Sequence, residues 1–148
     1  MLRNSMAKTT TIQVGREKVK KYLHENAIYI EDDINSLAKF HSQSRKVLNN
    51  LRDFCKLETP RVRFFRPPKI MPTRWVASHE RATRSIFDHW PVLVKHLKHI
   101  RCSPNFSEKA RQTATNLLLF LTDRHAMSNL LFQLELQYAF QVIMIRNS

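Results

Sequence analysis

The chain has one glycine in 148 residues. A phosphate-cradling loop or a dinucleotide fingerprint needs glycine at two or three fixed positions, so that backbone can turn tightly and approach the phosphate. Nucleotide enzymes of those two kinds are therefore excluded. Cysteine is nearly as scarce. Cys55 and Cys102 cannot build a four-thiolate zinc site or the disulfide framework of a small secreted module, and their number fits a reducing compartment. No apolar run approaches membrane-span length. The N-terminus lacks signal-peptide character, because Leu2 and Met6 sit among Arg3, Asn4 and Lys8. These absences predict a soluble, intracellular protein with the length of one domain.

Acidic residues are also few. The 25 lysines and arginines face 12 carboxylates, a net charge of +13. A domain this basic ordinarily meets an anionic partner. The charge is uneven along the chain: residues 1–103 hold 21 cations and 9 acids, residues 104–148 only 4 and 3. Residues 52–74 concentrate Arg52, Lys56, Arg61, Arg63, Arg66, Lys69 and Arg74 in a stretch broken by Pro60, Pro67, Pro68 and Pro72. Each proline lacks an N–H and biases its predecessor toward extended geometry, so regular helix is forbidden there. The expectation is an extended basic connector over 57–74 that carries Phe64 and Phe65. Residues 1–12, small and polar, read as a disordered lead-in to a helical domain over 13–148.

On both sides of the connector apolar residues recur at helical spacing. Ile30, Ile34, Leu37, His41, Ser44, Leu48, Leu51 and Cys55 predict one helix over about 30–56, with Glu31, Asp32 and Asp33 placed where a first turn favours carboxylates. Ala82, Ile86, Trp90, Leu93, Leu97 and Ile100 predict a second long helix, capped by Thr73 or Ser78 and bent by Pro91. Ser103-Pro104 reads as cap and first-turn proline of a third, with Ala110, Ala114, Leu117, Leu118 and Leu121 on its apolar face; Asp123 caps the next. That last segment, with Met127, Leu130, Leu131, Leu134, Tyr138, Val142 and Ile145, is apolar on more than one side. Such helices are normally covered on several faces, so the chain reads as truncated. Strand-type alternation is scarce. The predicted class is all-α, an irregular bundle of about four to five helices.

Catalytic constellations are not found. His96, His99 and Cys102 share a helix face, but Lys95, Lys98 and Arg101 lie between them and disfavour a cation. His79-Glu80 begins like a zinc-protease helix and then places Thr83 where the second histidine belongs. Glu31, Asp32 and Asp33 are adjacent and point apart, which a two-metal site does not allow. Ser85, Ser103 and Cys55 lack a nucleophile elbow. No metal or cofactor is expected. What remains is Pro72-Thr73-Arg74-Trp75 at the end of the connector. A tryptophan beside arginines can stack on an unpaired base; the competing reading makes Trp75, like Trp90, a core anchor.

The run Pro72-Thr73-Arg74-Trp75-Val76-Ala77-Ser78-His79-Glu80-Arg81-Ala82, followed by His89-Trp90-Pro91-Val92-Leu93-Val94-Lys95-His96-Leu97, resembles the Thr-Arg-Trp region of hAT (hobo/Ac/Tam3) transposases. Within them it is most similar to the domesticated vertebrate zinc finger protein 862-like proteins. Residues 39–51 are similar to the helix before that region and residues 110–132 to those after it. The resemblance spans about residues 28–145 and is specific around 73–97. It implies a fragment from the opening of the large helical insertion that interrupts a ribonuclease H-like core in that family. The core's three metal-binding carboxylates, its Cys-x-x-His signature and the zinc-finger and dimerisation segments have no counterpart here, which implies a non-catalytic chain. In characterised relatives the motif's tryptophan helps hold unpaired DNA at the transposon end; the position is Trp75, with Arg74 beside it.

Together these readings predict a transposase-derived, non-enzymatic fragment that binds DNA through Arg61, Arg63, Arg66, Lys69, Arg74 and Trp75, with nuclear or otherwise cytoplasmic residence. The alternatives are a helical protein-interaction or oligomerisation module using residues 126–145, or a decayed transposon remnant without function.

Overall fold

Apolar residues at helical spacing must find partners, and in the computed structural model they do so on either side of a central helix. Residues 30–147 are described, and the predicted lead-in over 1–12 lies outside them. The chain divides into a unit ending at Asp33 and a larger unit, Ile34–Ser148, which holds every side-chain contact described below. Among the described residues there are six α-helices and no strand: α1 (30–43), α2 (Arg45–Leu57), α3 (Trp75–Asp88), α4 (Trp90–Cys102), α5 (Glu108–Thr122) and α6 (Arg124–Asn147). The class is all-α. Among the described residues no helix is long and apolar enough to cross a membrane.

Helix α4 is the centre of the larger unit. Val92, Leu93, Val94, His96, Leu97 and Ile100 are all buried on it, and α2, α3 and α5 pack against it. Helix α5 contributes Ala114, Leu117, Leu118, Phe120 and Leu121, and α2 contributes Val47, Leu51 and Cys55. Trp90 closes the α4–α5 seam by donating its indole Nε1–H to the carbonyl of Leu121 at 2.9 Å.

Each of the two long predicted helices is broken in two. The helix expected over 30–56 opens at Ser44, whose backbone turns extended (φ −127°, ψ 113°) while its side chain accepts from the Val47 amide. A serine that captures the amide three residues on competes with helix continuation. The apolar face nevertheless continues across the break: Ile34, Leu37, His41, Leu51 and Cys55 are buried, and Val47 is buried in preference to Leu48. The second long helix breaks at His89 (φ −118°, ψ 16°), because Pro91 in the first turn of α4 has no N–H to continue the ladder. The caps also differ from expectation. Neither Thr73 nor Ser78 caps α3; a 3₁₀ turn over Pro72–Arg74 leads into it. Ser107, not Ser103, caps α5, accepting from Ala110 N–H at 3.1 Å, while Ser103 turns inward to accept from Asn105 N–H. Asp123 caps α6 as expected, through His125 N–H at 3.0 Å.

The core contains an imidazole pair. His41 donates Nδ1–H to the Leu37 carbonyl at 2.8 Å, which leaves its Nε2 as an acceptor for His96 Nδ1–H at 3.3 Å. The pair joins α1 to α4, with Phe54 of α2 against the His96 ring. Burial drives the His41 pKa down to about 4, partly opposed by the bond to Leu37. Burial, the His41 ring and His99 drive His96 down to about 3. Both rings are neutral in the folded chain. The unfolded chain, with ordinary histidines near 6.5, binds more protons as pH falls, so the folded state loses stability from pH 6.5 down toward 4 and keeps it in full above. Thermal midpoints should therefore be level from pH 8 to 7 and decline from pH 6.5 to 5. A His41→Leu/His96→Leu double variant, which removes both partners together, should show a flatter profile. A wild-type midpoint unchanged between pH 7 and 5 would contradict a neutral buried pair.

Candidate nucleic-acid interface

The strap between α2 and α3 has no helix to satisfy its backbone, so its amides must find acceptors elsewhere. They do so at both ends. Val62 N–H donates to the Cys55 carbonyl at 3.0 Å as the chain leaves α2. Ile70 N–H donates to Asn35 Oδ1 of α1 at 2.8 Å, and Met71 N–H to Ser78 Oγ of α3 at 2.8 Å. Ser78, anticipated as a cap, instead ties the strap to the first turn of α3, returning its own hydroxyl to the Met71 carbonyl. Between these ties the side chains anchor it. Phe65 stacks on His89 with ring centroids 3.7 Å apart and planes within 11°, and Pro67 and Ile70 are buried.

The consequence is a sorting of side chains. Val62, Phe64, Phe65, Pro67 and Ile70 are buried or half-buried, while Arg61, Arg63, Arg66 and Lys69 between them are exposed. Arg74, in the 3₁₀ turn, is exposed as well. Among the described residues none of these five side chains takes part in an ion pair. The acid nearest in sequence, Glu58, is held by Lys95 of α4 at 2.8 Å.

Trp75 opens α3 directly after Arg74 and remains 44% exposed, its ring 4.9 Å from that of His79. Exposed Met71 and Val76 flank it. Trp90, by comparison, is half-buried and donates its indole N–H to the Leu121 carbonyl. The structure therefore places the strap's cations and the tryptophan on one continuous segment, 61–75, at the surface.

Two cations outside the predicted set join it. Arg52 and Lys56, one turn apart on α2, line a hollow of about 470 Å³ together with Cys55, Arg61, Val62, Arg63 and Phe64. The Arg52 guanidinium lies over the Phe64 ring, 4.5 Å from its centroid. The signal was present in the sequence as i, i+4 spacing of two cations at the end of a helix that the strap leaves.

Most of the remaining chemistry-bearing residues are engaged by neighbouring side chains or backbone. His96 belongs to the imidazole pair, His99 lies against Phe54 with centroids 5.2 Å apart, and Cys102 is exposed. His79 Nδ1 lies 3.4 Å from Thr83 Oγ1 and 3.4 Å from Gln137 Nε2, which joins α3 to α6. The Ser85 hydroxyl is 3.3 Å from His89 Nδ1, but that nitrogen is engaged by the Ser85 carbonyl at 2.9 Å and so is not a base for the hydroxyl. Cys55 is buried, and burial pushes its thiol pKa up, away from the reactive thiolate. On α6, Leu130 is buried, whereas Leu131, Phe132, Leu136, Tyr138, Ile143 and Ile145 are exposed.

Compared with family models, with curated proteins and with solved structures, the chain matches none.

The strap's course depends on the Asn35 tie, because Ile70 is buried and its amide has this side chain as acceptor. Asn35→Ala should cost about 1–3 kcal/mol in denaturant unfolding, the penalty of an unsatisfied buried donor. Hydrogen exchange should show the Ile70 amide losing protection while α4 amides keep theirs, and Asn35→Asp, which retains an acceptor, should restore it.

Proposed function

We propose that this chain is a non-catalytic, hAT-transposase-derived fragment that binds nucleic acid, DNA foremost, through Arg61, Arg63, Arg66, Lys69 and Arg74, with Trp75 as a stacking surface at the end of the track. The observation that carries the reading is the sorting of the strap: its apolar side chains are tucked in, its cations are exposed, and the backbone that bears them is tied down at both ends. Cations held in a row neutralise successive phosphates and release condensed counterions. A strap already fixed loses little conformational entropy when it docks. Trp75 adds a π-face at the junction with α3, and base stacking contributes about 1–3 kcal/mol per base. The resemblance of Thr73-Arg74-Trp75 and its surroundings to the transposase motif supports the same partner, and nuclear residence accords with it.

A second reading is favoured by one observation. Helix α6 exposes Phe132 at 62% and Ile145 at 75%, so residues 126–145 suit a protein-interaction or self-association role.

Salt separates the two. Affinity for duplex DNA should fall steeply between two salt concentrations, and an Arg61→Ala/Arg63→Ala/Arg66→Ala variant should lower the log–log slope by about 0.9 for each phosphate no longer neutralised. Trp75→Ala should remove a preference for hairpin-ended over plain duplex by about fivefold or more, with circular dichroism verifying the fold. Folded protein with no salt-sensitive DNA binding would sink the reading and direct attention to α6.

A further inference from the structure

The hollow between α2 and the start of the strap concentrates more positive charge than a strand passing over it requires. Arg52, Lys56, Arg61 and Arg63 all line it, and its lining contains no carboxylate. A phosphodiester inside a strand carries one negative charge, whereas a terminal phosphate carries about −1.5 to −2 at neutral pH and presents three acceptor oxygens. Guanidinium forks suit such a group, since they donate parallel bonds to two oxygens at once. Arg52 is prepared for this role. Its guanidinium rests on Phe64, and its Nη1 donates to Asn49 Oδ1 at 3.4 Å, so its side chain is ordered before any ligand arrives. At about 470 Å³ the hollow also has room for the sugar attached to a terminal phosphate.

Position adds a direction. The hollow shares Arg61 and Arg63 with the strap, and Arg66, Lys69, Arg74 and Trp75 follow from there along the chain. We infer that the hollow seats the 5′-terminal phosphate of a nucleic-acid strand whose backbone then follows the strap toward Trp75. The inference rests on the nucleic-acid reading of the strap and assigns its end-recognising part to Arg52 and Lys56 of α2.

The test uses the full chain and two single-stranded oligonucleotides of one sequence, labelled at the 3′ end, one 5′-phosphorylated and one with a 5′-hydroxyl, compared by fluorescence anisotropy. The phosphorylated strand should bind about tenfold more tightly, as expected for added charge-assisted hydrogen bonds. Arg52→Gln and, separately, Lys56→Gln should lower the affinity for the phosphorylated strand severalfold more than that for the 5′-hydroxyl strand, so that most of the preference disappears while the remaining strap cations still bind both strands. Lys56 is exposed, so its replacement does not disturb the core even if Arg52→Gln does. Equal affinity of the wild type for the two strands, with salt-sensitive binding intact, would overturn the end-recognition site and leave the strap reading standing. Failure of both strands to bind would remove the strap reading and this inference with it. A phosphoserine peptide that displaces the phosphorylated strand at equal concentration would overturn the assignment to nucleic acid.

Discussion

A proline-rich segment cannot supply its own hydrogen bonds, and the organisation of the surface follows from where it obtains them. Pro60, Pro67, Pro68 and Pro72 remove four donors, and the amides that remain at the ends are accepted by Cys55, Asn35 and Ser78, each on a different helix. Those three bonds, with the Phe65–His89 stack between them, turn a connector into a fixed edge running from α2 to α3. The side-chain sorting is a product of this fixation. An extended chain whose apolar residues are held inward has its intervening cations pointing outward, without any ion pair to place them.

The charge distribution has the same origin. Where a basic helix surface commonly intersperses carboxylates, the strap contains none after Glu58, and Glu58 is engaged by Lys95. The surface of the strap is therefore cationic at little cost to the fold: its charges are solvated, while stability resides in α4 and in the layers of α2 and α5 against it. Charge on an exposed strap and packing in a buried helix are separable, so substitutions at the first need not disturb the second.

Much of this was legible in the chain, and the exceptions share a cause. The helical faces of Ile34, Leu37, Leu51 and Cys55, of Leu93, Leu97 and Ile100, and of Ala114, Leu117 and Leu121 were readable because burial imposes periodicity on sequence. The break at Ser44 was not, since serine serves equally on a helix face and at a cap, and the backbone decides. Ser107 rather than the expected Ser103 caps α5 for the same reason, Ser103 being buried and turned to accept from Asn105 N–H. The strap and its five cations could be read from proline and charge alone. The hollow could not, because it joins Arg52 and Lys56 on a helix to Arg61 and Arg63 beyond a turn, a juxtaposition that exists only in three dimensions. The His41–His96 pair, 55 residues apart, is equally silent in one dimension: helical spacing puts His41 on the inward face but says nothing of its partner.

The two tryptophans differ in a way that gives the chain its own optical label. Trp90 has its indole N–H fixed to a carbonyl in the seam between α4 and α5, whereas Trp75 stands half in solvent beside the imidazole of His79 at the end of the cationic strap. Emission from the first reports on the integrity of the interior. Emission from the second, which is 44% exposed, should lie further to the red and be quenched more readily by iodide, which the neighbouring arginine attracts. Events on the strap and events in the core are thus separable in the unmodified protein by quenching, with no dye attached.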